Sequence, residues 1–153
     1  LGPKPANDRK GNRVLMSELQ SILPEGWKRP PGFSQAIASP PVNLTIAGQF
    51  GWDPSTQECV PGGFGAQWEQ SLRNIRTLVE TAGGDVSDIV SLRVLVLDMA
   101  EYRAALPEVG AAWGSVFGKH FPAITMFEVG ALTDADARLE IEATAALKKV
   151  DAS

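Results

Sequence analysis

The amino-acid sequence predicts an α+β fold in which two helices pack on one face of a sheet. Three patterns carry that expectation. Residues 138–147 alternate apolar and polar up to Ala145. Trp68, Leu72, Ile75, Val79 and Ala82 recur at spacings of 4, 3, 4 and 3, and Tyr102, Leu106, Val109, Trp113 and Val116 repeat the same spacing. A period of two places side chains on alternate faces of a strand, whereas a period near 3.6 lines up one face of a helix.

The elements follow in order. Residues 1–15 are basic, lack periodicity and carry no initiator methionine, and Met16 opens a stretch more typical of a native start. The expectation is therefore an appended expression tail over 1–15, an N-terminal segment over 16–29 and a single domain over 30–150. Lys4, Arg9, Lys10 and Arg13 oppose Asp8 in that tail, so the rest of the chain is more acidic than the overall −4. Residues 17–23 are expected to form one or two helical turns that Pro24 stops. Pro30, Pro31, Pro40 and Pro41 keep their neighbours extended, and residues 33–38 between them read as an edge strand. Residues 42–47 alternate as a half-buried strand. Asp53-Pro54-Ser55-Thr56 is a turn, and residues 57–60 form the return arm of its hairpin.

The first helix is expected from about Gln67, ended by Gly83-Gly84, with residues 85–88 as a loop. The dense apolar run at 89–97 reads as a central buried strand. Pro107 falls inside the second helical pattern, which predicts a short turn first and a main helix starting at that proline. Strands over 123–129 and 138–147 close the chain. In the last one Leu139, Ile141, Ala143, Ala145 and Leu147 face one way, and Arg138, Glu140, Glu142 and Thr144 the other.

Composition narrows the chemistry. One cysteine excludes an intrachain disulfide and, with one histidine, speaks against a His/Cys metal cage. The acidic balance speaks against nucleic acid as the main partner. No run approaches the roughly 20 apolar residues of a spanning helix, so no membrane partner and a cytoplasmic location are expected. Gly62-Gly63-Phe64-Gly65 lacks the lysine of a phosphate-binding loop and is a turn signal.

Several short motifs bear a family resemblance. Phe33-Ser34-Gln35-Ala36, Ala47-Gly48-Gln49, Gln67, Leu72-Arg73-Asn74-Ile75, Ala82-Gly83-Gly84, Leu97-Asp98-Met99, Phe121-Pro122-Ala123, Leu132 and residues 139–145 follow one another in the chain. In these the sequence resembles the Rid (YjgF-like, reactive intermediate deaminase) family over about residues 30–147. The resemblance implies a fold similar to the trimeric chorismate mutases, a homotrimer with ligand clefts between subunits, and a small-molecule ligand. It also implies hydrolysis of reactive imines or enamines to a ketone and ammonia, with no metal or organic cofactor. In such a site an arginine grips the substrate carboxylate and an acidic residue orients water.

The sequence departs from that set. The family arginine after Pro-Ala is Ile124, the cysteine two residues later is Met126, the tyrosine before Ser-Gln-Ala is Phe33, and the serine before Gly48 is Ala47. The second-helix asparagine aligns with Gly110, and the glutamate is kept as Glu140. The replacements are apolar and imply a pocket re-lined for a neutral ligand.

Glu140 is the leading catalytic candidate, as general base, with Glu142 on the same face as a weaker second. His120, just before Phe121-Pro122, is a further acid–base candidate against an ordinary loop histidine. Trp52 and Trp113 either wall a pocket or pack in the core. Cys59 lacks an activating neighbour in the sequence. Arg93, inside an apolar run, needs a partner: it either replaces the missing clamp or makes a surface or intersubunit ion pair. The expectation is a variant Rid-type enzyme acting on a small imine, enamine or related neutral intermediate in an apolar intersubunit cleft, by hydrolysis or by proton transfer. The alternatives are a non-catalytic binding or regulatory trimer and, disfavoured by the acidic charge, a ribonuclease.

Overall fold

A computed structural model describes residues 20–31, 33–39 and 43–147. The tail expected over 1–15, the first residues of the helix expected over 17–23, and Pro40, Pro41 and Val42 lie outside the described residues. Six strands and three helices follow one another: β1 (Gln20–Ile22), β2 (Ala36–Ser39), β3 (Asn43–Gln49), α1 (Gly63–Thr81), β4 (Ile89–Val96), α2 (Met99–Ala104), α3 (Leu106–Val116), β5 (Ala123–Glu128) and β6 (Leu139–Ala146). The strands form one sheet in the order β1-β2-β3-β6-β4-β5, antiparallel except for the parallel pair β4–β5. The α+β class and the helix-covered face agree with the sequence.

The core lies between the helices and one face of the sheet. Leu72, Ile75, Leu78 and Val79 of α1 are fully buried, as are Leu44, Val94, Val96, Leu139 and Ile141 from the strands. In β6 every second residue from Leu139 to Ala145 is buried and those between are half-buried, as the alternation requires. Burying a leucine or isoleucine side chain contributes about 1.5–3 kcal/mol, so this one apolar layer holds helices and sheet together.

Five expectations need correction. Residues 20–22 are a strand and not a helical turn, because Ile22 pairs with Ala36 and Gln20 with Ala38. β1 is therefore the sheet edge and β2 an inner strand. Helix α1 starts at Gly63, ahead of Gln67; Gly62 takes the left-handed φ of 108° at the N-cap, a conformation glycine adopts without strain. β4 is not buried on both faces: Val90 and Arg93 are exposed between buried Ile89, Leu92, Val94 and Val96. The expected return arm at 57–60 makes a single bridge, Trp52 with Cys59.

Elsewhere the structure adds detail. Residues 85–88 carry a 3₁₀ turn (Val86–Asp88) with a capping box between Asp85 and Asp88. The region around Pro107 splits as expected: α2 precedes α3, and the proline lies in the first turn of α3, where its missing N–H costs nothing. Among the described residues no helix is long and apolar enough to cross a membrane.

One irregularity positions the site. Along β3 and β6, Ile46 pairs with Ala143 and Gln49 with Ile141, so Ala47 and Gly48 together oppose the single residue Glu142. This is a β-bulge, which bends the strand and re-aims the side chains beside it.

Candidate functional site

The bulge lies on the sheet face that the helices leave open. Register places Glu142 of β6 opposite Arg93 of β4, and Glu140 opposite Leu95. Thr45, Ala47, Ser91, Arg93, Thr125 and Glu142 line a concavity of about 360 Å³ on this face. Glu140 stands one side-chain row further along β6.

Glu140 fits its place only because residue 48 has no side chain. A Cβ there would overlap Glu140 Oε1 and lie 2.5 Å from its Cδ. The carboxyl is folded down over the bulge and half-buried. Burial pushes its pKa above the ordinary carboxylate range, and the charge of Glu142 adds to the rise. A carboxylate so placed is a stronger base than a free one. Glu142 itself is paired, with its Oε2 3.4 Å from Arg93 Nη1.

A buried polar chain secures the bulge from behind. Gln49, fully buried, donates from Nε2 to Gln35 Oε1 (2.9 Å) and to the Ala47 carbonyl (3.1 Å). Trp52 Nε1 donates to Gln49 Oε1 (3.0 Å), and Asn74 Nδ2 of α1 donates to the Trp52 carbonyl (2.8 Å). The Ala47 N–H donates to the Gln35 carbonyl at 2.9 Å. Gln67, also from α1, anchors the approach to β6: its Nε2 donates to the Asp136 carbonyl and its Oε1 accepts from the Arg138 N–H, both at 2.9 Å. Satisfied buried networks of this kind hold one geometry, since each broken link leaves a costly orphan.

The residues singled out from the sequence fall in different places. Ala47 and Glu140 meet at the bulge. Phe33 is 58% exposed and lies two residues before Gln35. Trp52 is buried, edge-on to Trp27 with ring centroids 4.9 Å apart, and acts in the polar chain behind the site. Ile124 pairs with Leu92 and Met126 with Val94, which puts both on the helix side of the edge strand; Met126 packs against the core and Ile124 stays 46% exposed. Gly110 is on the exposed side of α3, with open space where a Cβ would be. Within one copy, Ile124, Met126 and Gly110 are not gathered around Glu140.

His120 has a structural partner: its Nε2 is 2.7 Å from the Ile89 carbonyl, and its own carbonyl accepts from Trp113 Nε1. Trp113 packs in the core and stacks on Phe121. Cys59 Sγ lies 3.7 Å from Asp134 Oδ1. Burial, and then the Asp134 charge, push the thiol up to about 11, which keeps it protonated and a poor nucleophile. Arg93 has the ion-pair partner its position demanded, on the surface of the same chain. Among the described residues no group of three or more His, Cys, Asp or Glu side chains is placed to hold a metal ion.

Gly48, Gln49 and Gln35 were missed as contributors to the site. A glycine inside an alternating strand is a signal for a bulge or close approach, and it was present in Ala47-Gly48-Gln49. The polar chain had no such local signal.

Comparison with known proteins agrees with the fold. Residues 28–147 match the family model described as Endoribonuclease L-PSP. The 2-iminobutanoate/2-iminopropanoate deaminase of Homo sapiens is 34% identical over 115 residues, covering 74% of this chain and 78% of that protein. The protein of the same name from Escherichia coli K12 is 39% identical over 105 residues, covering 67% and 77%. A RutC family protein of Pyrococcus horikoshii is 38% identical over 125 residues, covering 81% and 94%. Among solved structures, RidA from an Antarctic Psychrobacter superposes with a TM-score of 0.71 at 29% identity, covering 84% of this chain and 99% of that one. The YjgF gene product of E. coli does so with 0.70 at 31% identity, covering 85% and 99%.

Proposed function

This chain belongs to the Endoribonuclease L-PSP family, the Rid (YjgF-like) proteins, and from that premise we propose that it is a variant deaminase of small reactive imines or enamines. Glu140 is its general base. The observation that carries this reading is the half-buried Glu140 carboxyl, raised in pKa and folded over the Ala47–Gly48 bulge. Relatives named as imine deaminases support the reaction class.

The chemistry needs one proton acceptor. Glu140 takes one proton from water as the water oxygen adds to the C=N carbon, and hands that same proton to the nitrogen, which gives a carbinolamine. Glu140 then takes the carbinol O–H proton as the C=O bond closes and returns it to the nitrogen, so that the C–N bond breaks and ammonia leaves. The net change is imine plus water to carbonyl plus ammonia, with Glu140 returned to its starting state.

The variant character rests on the edge strand. Ile124 leaves β5 without a cation, so no positively charged side chain of β5 grips the substrate. The open sheet face exposes Ile37 and Phe127 beside the polar concavity, and we place the apolar wall of the cleft at a contact between copies in a homotrimer. Sedimentation giving a monomer would remove that wall.

The decisive experiment couples an amino-acid oxidase or dehydratase, as imine source, to detection of released ammonia. Wild-type protein should speed ammonia release over the buffer rate, and Glu140→Gln should lose at least a hundredfold, the usual span of a general base. Equal rates for both proteins would leave Glu140 structural. Ligand binding without turnover in either protein would favour the second reading, a binding trimer, to which the loss of a cation at position 124 also points.

A further inference from the structure

We infer that Arg93 holds the anionic end of the substrate, so that the carboxylate-binding cation of this protein is on β4 and not on the edge strand β5. The inference rests on the deaminase reading of Glu140 and adds the substrate's charge and orientation to it.

Among the described residues, Arg93 is the only lysine or arginine in a strand. Its guanidinium stands in the concavity on the open face, among the hydroxyl-bearing residues Thr45, Ser91, Thr125 and Thr144. A volume of about 360 Å³ suits a small ligand. Hydroxyl and guanidinium donors around one hollow are the groups that recognise a carboxylate.

The existing partner is loosely held. Arg93 Nη1 and Glu142 Oε2 are 3.4 Å apart, with side chains 60% and 47% exposed. A charge-assisted hydrogen bond is closer to 2.7–2.9 Å. By contrast, Arg73, Arg76 and Arg138 are held at shorter distances by Glu69, Glu80 and Glu101. The guanidinium therefore has both the room and the spare N–H donors to take a second carboxylate.

Register supplies the orientation. Arg93 opposes Glu142 and Leu95 opposes Glu140, so Arg93 and Glu140 are diagonal neighbours on one face, with a backbone spacing of roughly 7–8 Å. In a 2-imino acid the carboxylate carbon and the imine carbon are bonded to each other. Anchoring the carboxylate on Arg93 turns the imine carbon, and a water beside it, toward Glu140. Glu142 competes with the ligand for Arg93, so its removal strengthens binding.

The test uses a 2-oxo acid, 2-oxobutanoate, as an unreactive probe titrated by NMR, with its uncharged amide as control. Wild-type protein should bind the acid more tightly than the amide. Arg93→Met should weaken the acid about tenfold or more and leave the amide unchanged, Arg93→Lys should restore part of the affinity, and Glu142→Gln should tighten it. Equal acid affinity in wild type and Arg93→Met overturns the inference, as does a change of assembly state with unchanged affinity. The ammonia assay separates the two readings. Acid binding through Arg93 without imine turnover keeps the Arg93 site and sinks the deaminase. Turnover of 2-imino acids with a KM that Arg93→Met does not raise keeps the deaminase and sinks Arg93.

Discussion

Glu140 and Gly48 share one space. The carboxyl of Glu140 occupies the volume that any side chain at residue 48 would fill, so that a Cβ there would be 2.5 Å from Glu140 Cδ and 2.6 Å from its Cγ. The glycine is required by a side chain three strands later in the chain but adjacent in the sheet. The bulge lies at this point: two residues of β3 face one of β6, an irregularity that bends a strand and re-aims its side chains.

Gly48→Ala is therefore expected to expel Glu140 from its seat. Glu140 has solvent on its other side, so the fold survives with the cost of local overpacking, about 1–3 kcal/mol. Activity falls more than stability, by at least tenfold in kcat. Ammonia release and thermal melts on the same sample check this, and unchanged kcat would show that the folded-down position is irrelevant.

The acidic limb of the pH–rate profile should report Glu140. Its pKa is raised first by burial and then by Glu142, so activity is lost below a pH higher than that of a free carboxylate. Glu142→Gln removes only the second cause. The limb should then move to lower pH without reaching that of a free carboxylate. A limb that stays fixed in Glu142→Gln would mean another group controls it.

The same raised pKa has a stability consequence of opposite sign to the usual carboxylate. Between the unfolded and folded pKa values the folded protein binds more protons at Glu140, so stability falls as pH rises through that window. Above it the penalty is constant. Glu140→Gln removes the penalty and should melt higher than wild type near pH 7. The difference should shrink as pH is lowered through the folded pKa and vanish below the unfolded one. A lower melting temperature for Glu140→Gln at neutral pH would contradict the raised pKa.

These sites were unevenly legible in the sequence. The alternation of residues 139–147 and the 4, 3, 4, 3 stripe of α1 are local patterns, and both elements form where the patterns lie. β1 was not legible because a three-residue strand has no periodicity of its own and exists through its pairing with β2. The start of α1 was hidden by Gly62 and Gly63, which read as helix breakers although they begin the helix. Glu140 was legible through its motif. The separation of Ile124 and Met126 from Ala47 was not, since face assignment on β5 depends on its parallel register with β4.

Cys59 should be inert to alkylation at neutral pH in the folded protein. Its thiol is half-buried and pushed up to about 11, first by burial and then by the Asp134 carboxylate. Iodoacetamide at pH 7.5 should label it far more slowly than a free thiol, and denaturant should restore the ordinary rate. Asp134→Asn relieves only the smaller cause and should speed labelling modestly. Fast labelling of the native protein would argue against the shielded environment.

Trp52→Phe tests whether the polar chain behind the bulge positions Glu140 or only stabilises the fold. The substitution keeps an aromatic ring against Trp27 but removes the donor to Gln49 Oε1. A buried acceptor is left unpaired, at a cost of about 1–3 kcal/mol. Gln49 is then held by fewer contacts, and its bond to the Ala47 carbonyl at the bulge is the one that reaches the site. If the chain positions the bulge, Glu140 becomes better hydrated, and the acidic limb of the pH–rate profile moves down as kcat falls. If the chain is only structural, the melting temperature drops while the limb stays where it is in wild type. The limb separates the two, because loss of folded protein scales the whole profile and cannot shift it along the pH axis at temperatures well below the melt.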